Sequence, residues 1–221
     1  MQTEEIIAEA LKVLKSGGLI LYPTDTVWGI GCDACNEDAV KKVFALKRRS
    51  GAKSLVLLAC DLDMVAKYIR KIPPMAVELV EVNDAPMTIV YPGAVVAETP
   101  AELRGLAPST VAEDGSVGIR IPRTASHEED ETPVSEGAKF CNRLIYKLRT
   151  PLVSTSANIS GEPTPGNFAE ISQEIKDGVD FVVPETFTSG GRQIRFDDSA
   201  TGRSSQIIKL GLSGEVEVIR R

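Results

Sequence analysis

Two short stretches carry residue types that can hold an anion. Lys47-Arg48-Arg49 puts three cations into three residues, and Ser154-Thr155-Ser156-Ala157-Asn158 lines up hydroxyls and an amide directly after the apolar Pro151-Leu152-Val153. Guanidinium and ammonium groups suit phosphate and carboxylate oxygens, Arg as a bidentate fork and Lys as a compact charge. Small polar side chains and exposed backbone N–H groups at a strand end hold phosphate and ribose oxygens in α/β proteins. Together the two stretches point to a nucleotide site. Each also has a plain structural reading: cations at a helix C-terminus complement the helix dipole, and a hydroxyl-rich loop simply closes a strand. Thr24-Asp25-Thr26, a third cluster, reads either as part of the site or as an Asx-type turn. Tyr22 and Trp28 are read as core aromatics rather than base-stacking platforms.

Other chemistries find less support. The single histidine, His127, sits beside Glu128-Glu129-Asp130-Glu131, a poor setting for a Ser-His-Asp or Cys-His mechanism. Cys32-x-x-Cys35 has no second pair at ligand spacing, so the four cysteines read as reduced core thiols, with no zinc and no redox cofactor. A net charge of −6 over 221 residues repels polyanions, so any nucleic-acid contact needs a local basic face. No apolar run spans a membrane and no basic-then-apolar leader opens the chain, which predicts a cytosolic protein.

The elements that must position these residues follow from periodicity. Ile6, Ile7, Ala10, Leu11 and Leu14 recur at helical spacing and stop at Gly17-Gly18. Two strands, 19–22 and 27–31, flank the Thr24-Asp25-Thr26 corner, and Asn36 is placed to cap a helix over 37–47 that ends in the basic triplet. Further strands are expected at 54–60, 87–91, 117–121, 152–153 and 179–183, and helices at 62–70, 74–82, 135–148 and 168–175. Residues 92–115 read as an ordered surface excursion, 188–203 as polar and glycine-containing, and 205–210 with 216–219 as a terminal hairpin. Alternating strands and helices without a linker predict one α/β domain over residues 1–221, three-layered, with a twisted mixed sheet flanked by helices.

The fragments also match a family pattern. Tyr22-Pro23-Thr24-Asp25-Thr26-Val27-Trp28-Gly29-Ile30-Gly31-Cys32-Asp33-Ala34 resembles the opening motif of the YrdC-like threonylcarbamoyl-AMP synthases. Lys47-Arg48-Arg49 is similar to their Lys-x-Arg motif, Val117-Gly118-Ile119-Arg120-Ile121-Pro122 to their Val-Gly-x-Arg-x-Pro strand, and Ser156-Ala157-Asn158 to their Ser-x-Asn motif. The resemblance spans residues 5 to 221 and implies the short form of these enzymes and the YrdC-like fold. It implies an ATP-dependent reaction of L-threonine and bicarbonate to threonylcarbamoyl-AMP and pyrophosphate, a nucleotidyl transfer that serves tRNA threonylcarbamoyladenosine, with Mg2+ bridging phosphates. A transferase complex would receive the product.

Carried over by position, Thr26 and Arg120 are expected to hold threonine, and Lys47 and Arg49 to face bicarbonate and phosphate oxygens. Ser156 and Asn158 are expected on nucleotide phosphate, Asn158 also as a magnesium contact, with Ser116, Ser154, Thr164, Ser205, Arg220 and, more weakly, Lys53 as further ATP contacts. The chain departs from the pattern at Asp84-Ala85-Pro86-Met87-Thr88, where relatives carry Pro-Gly-Pro-x-Thr, and at Gln206, where many carry Thr. Two other functions compete: a non-catalytic RNA-binding module of this fold, and a paralogue with different nucleotide chemistry.

Overall fold

The computed structural model describes residues 1–49, 55–83, 85–98, 105–124, 134–189 and 191–221. Lys53, Asp84 and the acidic run around His127 lie outside the described residues. Helix α1 (Thr3–Lys15) buries Ile6, Ile7, Ala10 and Leu14, the stripe set by its 3.6-residue period. The Glu5 carboxylate reaches back to accept from Gln2 N at 2.9 Å, and Gly17 ends the helix at φ +76°, where a side chain would be strained. Side-chain caps open four more helices: Asn36 for α2 (Glu37–Leu46), Asp61 for α3 (Leu62–Tyr68), Ser135 for α5 (Glu136–Leu148) and Ser172 for α6 (Gln173–Asp177). Helix α4 (Pro74–Val82) begins with proline, whose missing N–H would be unpaired there anyway.

Among the described residues, nine strands form one mixed sheet in the order β11-β10-β4-β5-β3-β6-β2-β1-β7. They are β1 (Ile20–Tyr22), β2 (Gly29–Gly31), β3 (Val56–Leu58), β4 (Met87–Tyr91), β5 (Val117–Arg120), β6 (Leu152–Ser156), β7 (Phe181–Val182), β10 (Gln206–Leu210) and β11 (Val216–Arg220). Strands β8 (Thr186–Ser189) and β9 (Arg192–Arg195) make a separate antiparallel hairpin. Parallel pairing joins β1 to β7, β3 to β5 and β4 to β10; the other five pairings are antiparallel. The result is the α/β sheet with flanking helices that the alternation predicts.

The details differ from the sequence reading in four places. Strand β6 continues to Ser156, because Ser154 and Thr155 pair across to Val56 and Ile30, so the hydroxyl run is strand and not loop. The expected helix over 168–175 is a short 3-10 turn at Phe168–Glu170 followed by α6, because Asn167 and Ser172 each cap a separate start. The polar stretch 188–203 contributes to the β8–β9 hairpin and then a 3-10 turn at Phe196–Ser199. In the 92–115 excursion, Leu106, Ala107 and Thr110 are buried, and Ser109 donates from both N and Oγ to the Glu37 carboxylate, so this part is wall and not surface.

Candidate active site

A cavity of about 1100 Å³ opens over one face of the sheet. Its floor is a single register row, Ser154–Val56–Gly118–Val90–Lys209, running across β6, β3, β5, β4 and β10. At about 4.8 Å per strand, four spacings extend that floor about 19 Å. The depth comes from what the row lacks. Gly118 has no Cβ, and one placed there would stand 3.3 Å from Thr88 Cγ2. Around this row stand Arg49, Arg120 and Arg220, which line the cavity with Thr26, Ser116, Ser156 and Ser205, beside Ser154 and Lys209 of the row itself.

The Thr24–Thr26 corner is built from its hydroxyls. Thr24 Oγ1 accepts from Thr26 N at 3.0 Å, bonds to Val27 O and shares a 2.8 Å bond with Thr26 Oγ1, so threonine rather than Asp25 makes the turn. Two backbone N–H groups fasten it from outside, Thr201 N to Asp25 O and Gly202 N to Thr26 O, both at 2.9 Å. The Asp25 carboxylate is thereby released for another task and forms a buried ion pair with Arg120 Nη1, while Arg120 Nη2 donates to Thr26 Oγ1 at 3.4 Å. Burial works against the Arg120 charge, but Asp25 outweighs it and holds the guanidinium above its ordinary value. Thr26 and Arg120, expected together, are in contact.

At the end of α2 the three cations part. Arg48 adopts φ +50° and swings its guanidinium to Glu174, 2.6 Å away on the exposed surface. Arg49 returns to the cavity, its guanidinium carbon 6.0 Å from the Phe44 ring centroid. Lys47 is 2% exposed and does not line the cavity. Its ammonium donates to Ser156 O at 2.5 Å, Asn158 O at 2.7 Å and Asn158 Oδ1 at 3.4 Å, and its own carbonyl accepts from Ser160 N. Burial, helped by Arg49, lowers it to about 8. Lys47 thus tethers the Ser156–Ser160 segment from beneath the cavity lining.

Asn158 is similarly occupied. Its Oδ1 accepts from Ser156 Oγ at 2.5 Å as well as from Lys47, and its Nδ2 donates to Ile159 O and Glu162 O. A metal would have to displace those donors, so the side chain as it stands does not fit the magnesium role expected for it. Thr164 is exposed and away from the cavity. Ser205 shares a 2.8 Å bond with Thr88, and Arg220 Nε donates to Ser205 O at 2.9 Å. Ser116 donates to Asp114, whose carboxylate also takes Lys209 Nζ at 2.7 Å; these donors, Lys209 first, pull Asp114 down to about 2. The wall at Ser109, Val111, Glu113 and Asp114, and the Lys209–Asp114 pair, were not foreseen from sequence. Periodicity carries no signal for a wall of irregular backbone. Trp28 is buried, donating to Asp197 Oδ1 and packing on Phe168 at 4.7 Å between centroids, and it also lines the cavity.

Residues 12–221 match the model of a protein family described as "Telomere recombination", the Sua5/YciO/YrdC family. The chain belongs to this family. Among its curated relatives, the threonylcarbamoyl-AMP synthase of Pseudoalteromonas translucida (strain TAC 125) is 28% identical over 92% of this chain and 98% of that protein. The enzyme of the same name from Enterobacter sp. (strain 638) is 33% identical over 84% and 86%. In fold, this Sua5/YciO/YrdC member is similar to P. abyssi Sua5 in its crystal structure with L-threonine, at a TM-score of 0.71 and 22% identity, over 95% of this chain. It spans 52% of that longer protein.

Proposed function

We propose that this protein is a threonylcarbamoyl-AMP synthase, forming threonylcarbamoyl-AMP and pyrophosphate from L-threonine, bicarbonate and ATP, with residues 1–221 acting as one cytosolic catalytic unit. The observation that carries the reading is the convergence of Arg49, Arg120 and Arg220 with the hydroxyls of Thr26, Ser116, Ser154, Ser156 and Ser205 around one cavity. These groups come from distant parts of the chain, and core packing gives no reason for them to meet. Membership of the family and two relatives bearing the synthase name support the same reading.

The chemistry suits the groups present. Threonine's amine attacks bicarbonate, giving the carbamate and water. A carbamate oxygen then attacks the α-phosphorus of ATP, and the bond to the bridging oxygen breaks to release pyrophosphate. Both steps concentrate negative charge on oxygens and need no histidine or covalent enzyme intermediate. The protein's part is placement and charge neutralisation. In this reading Arg120 and Thr26 take the amino acid, Arg49 faces the reacting oxygens, and Ser116, Ser154, Ser156, Ser205 and Arg220 take the nucleotide. Lys47 and Asn158 hold the Ser156 segment in place from behind. Magnesium belongs here only as the companion of ATP's own phosphates, since Asn158 Oδ1 is engaged elsewhere. The test is pyrophosphate release with ATP and magnesium. Release that requires both threonine and bicarbonate is expected; turnover indifferent to either would contradict the assignment and favour a paralogue with other nucleotide chemistry.

A further inference from the structure

The Asp25–Arg120 pair runs from one face of the sheet to the other. Arg120 lines the large cavity, whereas Asp25 does not; its carboxylate borders a separate cavity of about 330 Å³ bounded by Ile89, Tyr91 and Ile119 on the reverse face. Asp25 therefore meets the guanidinium from the side of the reverse-face cavity, while Arg120 lines the large one. Both partners are nearly sealed from water, with side chains 4% and 9% exposed. Burying two charges is unfavourable unless the geometry is well determined, and this geometry is. Thr201 N holds the Asp25 backbone, Gly202 N the Thr26 backbone, and α5 presses the corner from outside through Gly137, where a Cβ would stand 2.2 Å from Thr24 O.

From this we infer that Asp25 is a positioning residue for amino-acid binding: it grips Arg120 through Nη1 from the reverse face, so that the remaining donors of the guanidinium present a fixed fork to a carboxylate beside Thr26. Arginine owes its selectivity for carboxylates to that rigid planar fork, and a fork free to rotate would lose part of it. The inference rests on the proposed function, in which Arg120 takes the carboxylate of threonine. Asp25 touches no substrate and acts only through Arg120.

The experiment is a double-mutant cycle read by calorimetric binding of L-threonine and of ATP to the full chain, with wild type, Asp25→Asn, Arg120→Gln and the double variant. Asp25→Asn is expected to weaken threonine about tenfold or more while leaving ATP affinity within about twofold. The double variant should bind threonine no more weakly than Arg120→Gln alone, because the second change removes a support for a group already gone. Losses that add, or equal weakening of threonine and ATP, would overturn the inference. Each single variant leaves one buried charge without its counter-charge, a cation in Asp25→Asn and an anion in Arg120→Gln, so a thermal melt of every sample is recorded beside its binding. The double variant removes both charges and carries the test where a single variant does not fold: threonine bound by it as tightly as by wild type would overturn the inference. Wild type that fails to bind threonine would sink the proposed function itself; normal wild-type binding with additive losses sinks only the role of Asp25.

Discussion

Three consecutive basic residues do three different things here, and only their backbone explains it. Arg48 takes a left-handed conformation at the end of α2 and leaves for Glu174, so Lys47 and Arg49 alone continue toward the Ser156 segment. Arg49→Ala should cut turnover about a hundredfold to a thousandfold, the usual loss for a donor aimed at developing charge, with a small change in urea midpoint. Lys47→Ala should instead lower both, since it strands the carbonyls of Ser156 and Asn158; a loss of about 1–3 kcal/mol in urea unfolding is expected. The motif alone suggests that both variants spare stability. The triplet's composition is visible in sequence, but the parting of its side chains is not, because it depends on one φ angle.

The same lysine makes a pH prediction. Its folded value is lowered to about 8, so burial disfavours the charged form. The unfolded state then binds more protons between about 8 and the ordinary value of 10.5, and stability from this group rises with pH across that window. Wild type should accordingly gain in urea midpoint over Lys47→Met between pH 8 and pH 10. A constant difference would contradict the burial of a charged Lys47.

Secondary elements were legible wherever one periodicity ruled. The α4 bounds and those of β4 fall where the apolar pattern puts them, and Asn36 caps α2 as its position suggests. The pattern failed where small polar residues fill a strand. Ser154 and Ser156 face a cavity, so no apolar alternation marks them, and only pairing with β3 and β2 makes them strand. The β8–β9 hairpin lacks an apolar alternation for a similar reason, since β9 is largely exposed and charged. Helix α5 yields a prediction of its own. Gly137→Ala ordinarily favours a helix by up to about 1 kcal/mol, but here the new methyl meets the Thr24 carbonyl at 2.2 Å, and backbone must move. Overpacking of this kind costs about 1–3 kcal/mol, so the variant should melt lower than wild type and bind threonine more weakly.

With a net charge of −6, the protein as assembled should make pyrophosphate without needing tRNA, and tRNA retention should fall steeply as salt rises. Filter binding across a salt series, beside the pyrophosphate assay, checks this; tight, steeply salt-dependent tRNA binding without ATP turnover would favour the RNA-binding alternative. Arg220, at the end of the final hairpin, is exposed yet reaches back over Ser205 into the cavity. Arg220→Ala should raise the KM for ATP about tenfold, the loss of one charge-assisted contact, with little change in melting.

Residue types, their order and their periods were enough to indicate an α/β chain, its cationic and hydroxyl-bearing motifs and the family those motifs resemble, because these are local properties. Which of the charged groups reach the cavity was settled only by folding. Asp25 pairs with Arg120 rather than with its own turn, and Lys47 ties down the carbonyls of Ser156 and Asn158, because a buried charge accepts whichever partner the packed chain brings within reach, and the linear order does not name that partner.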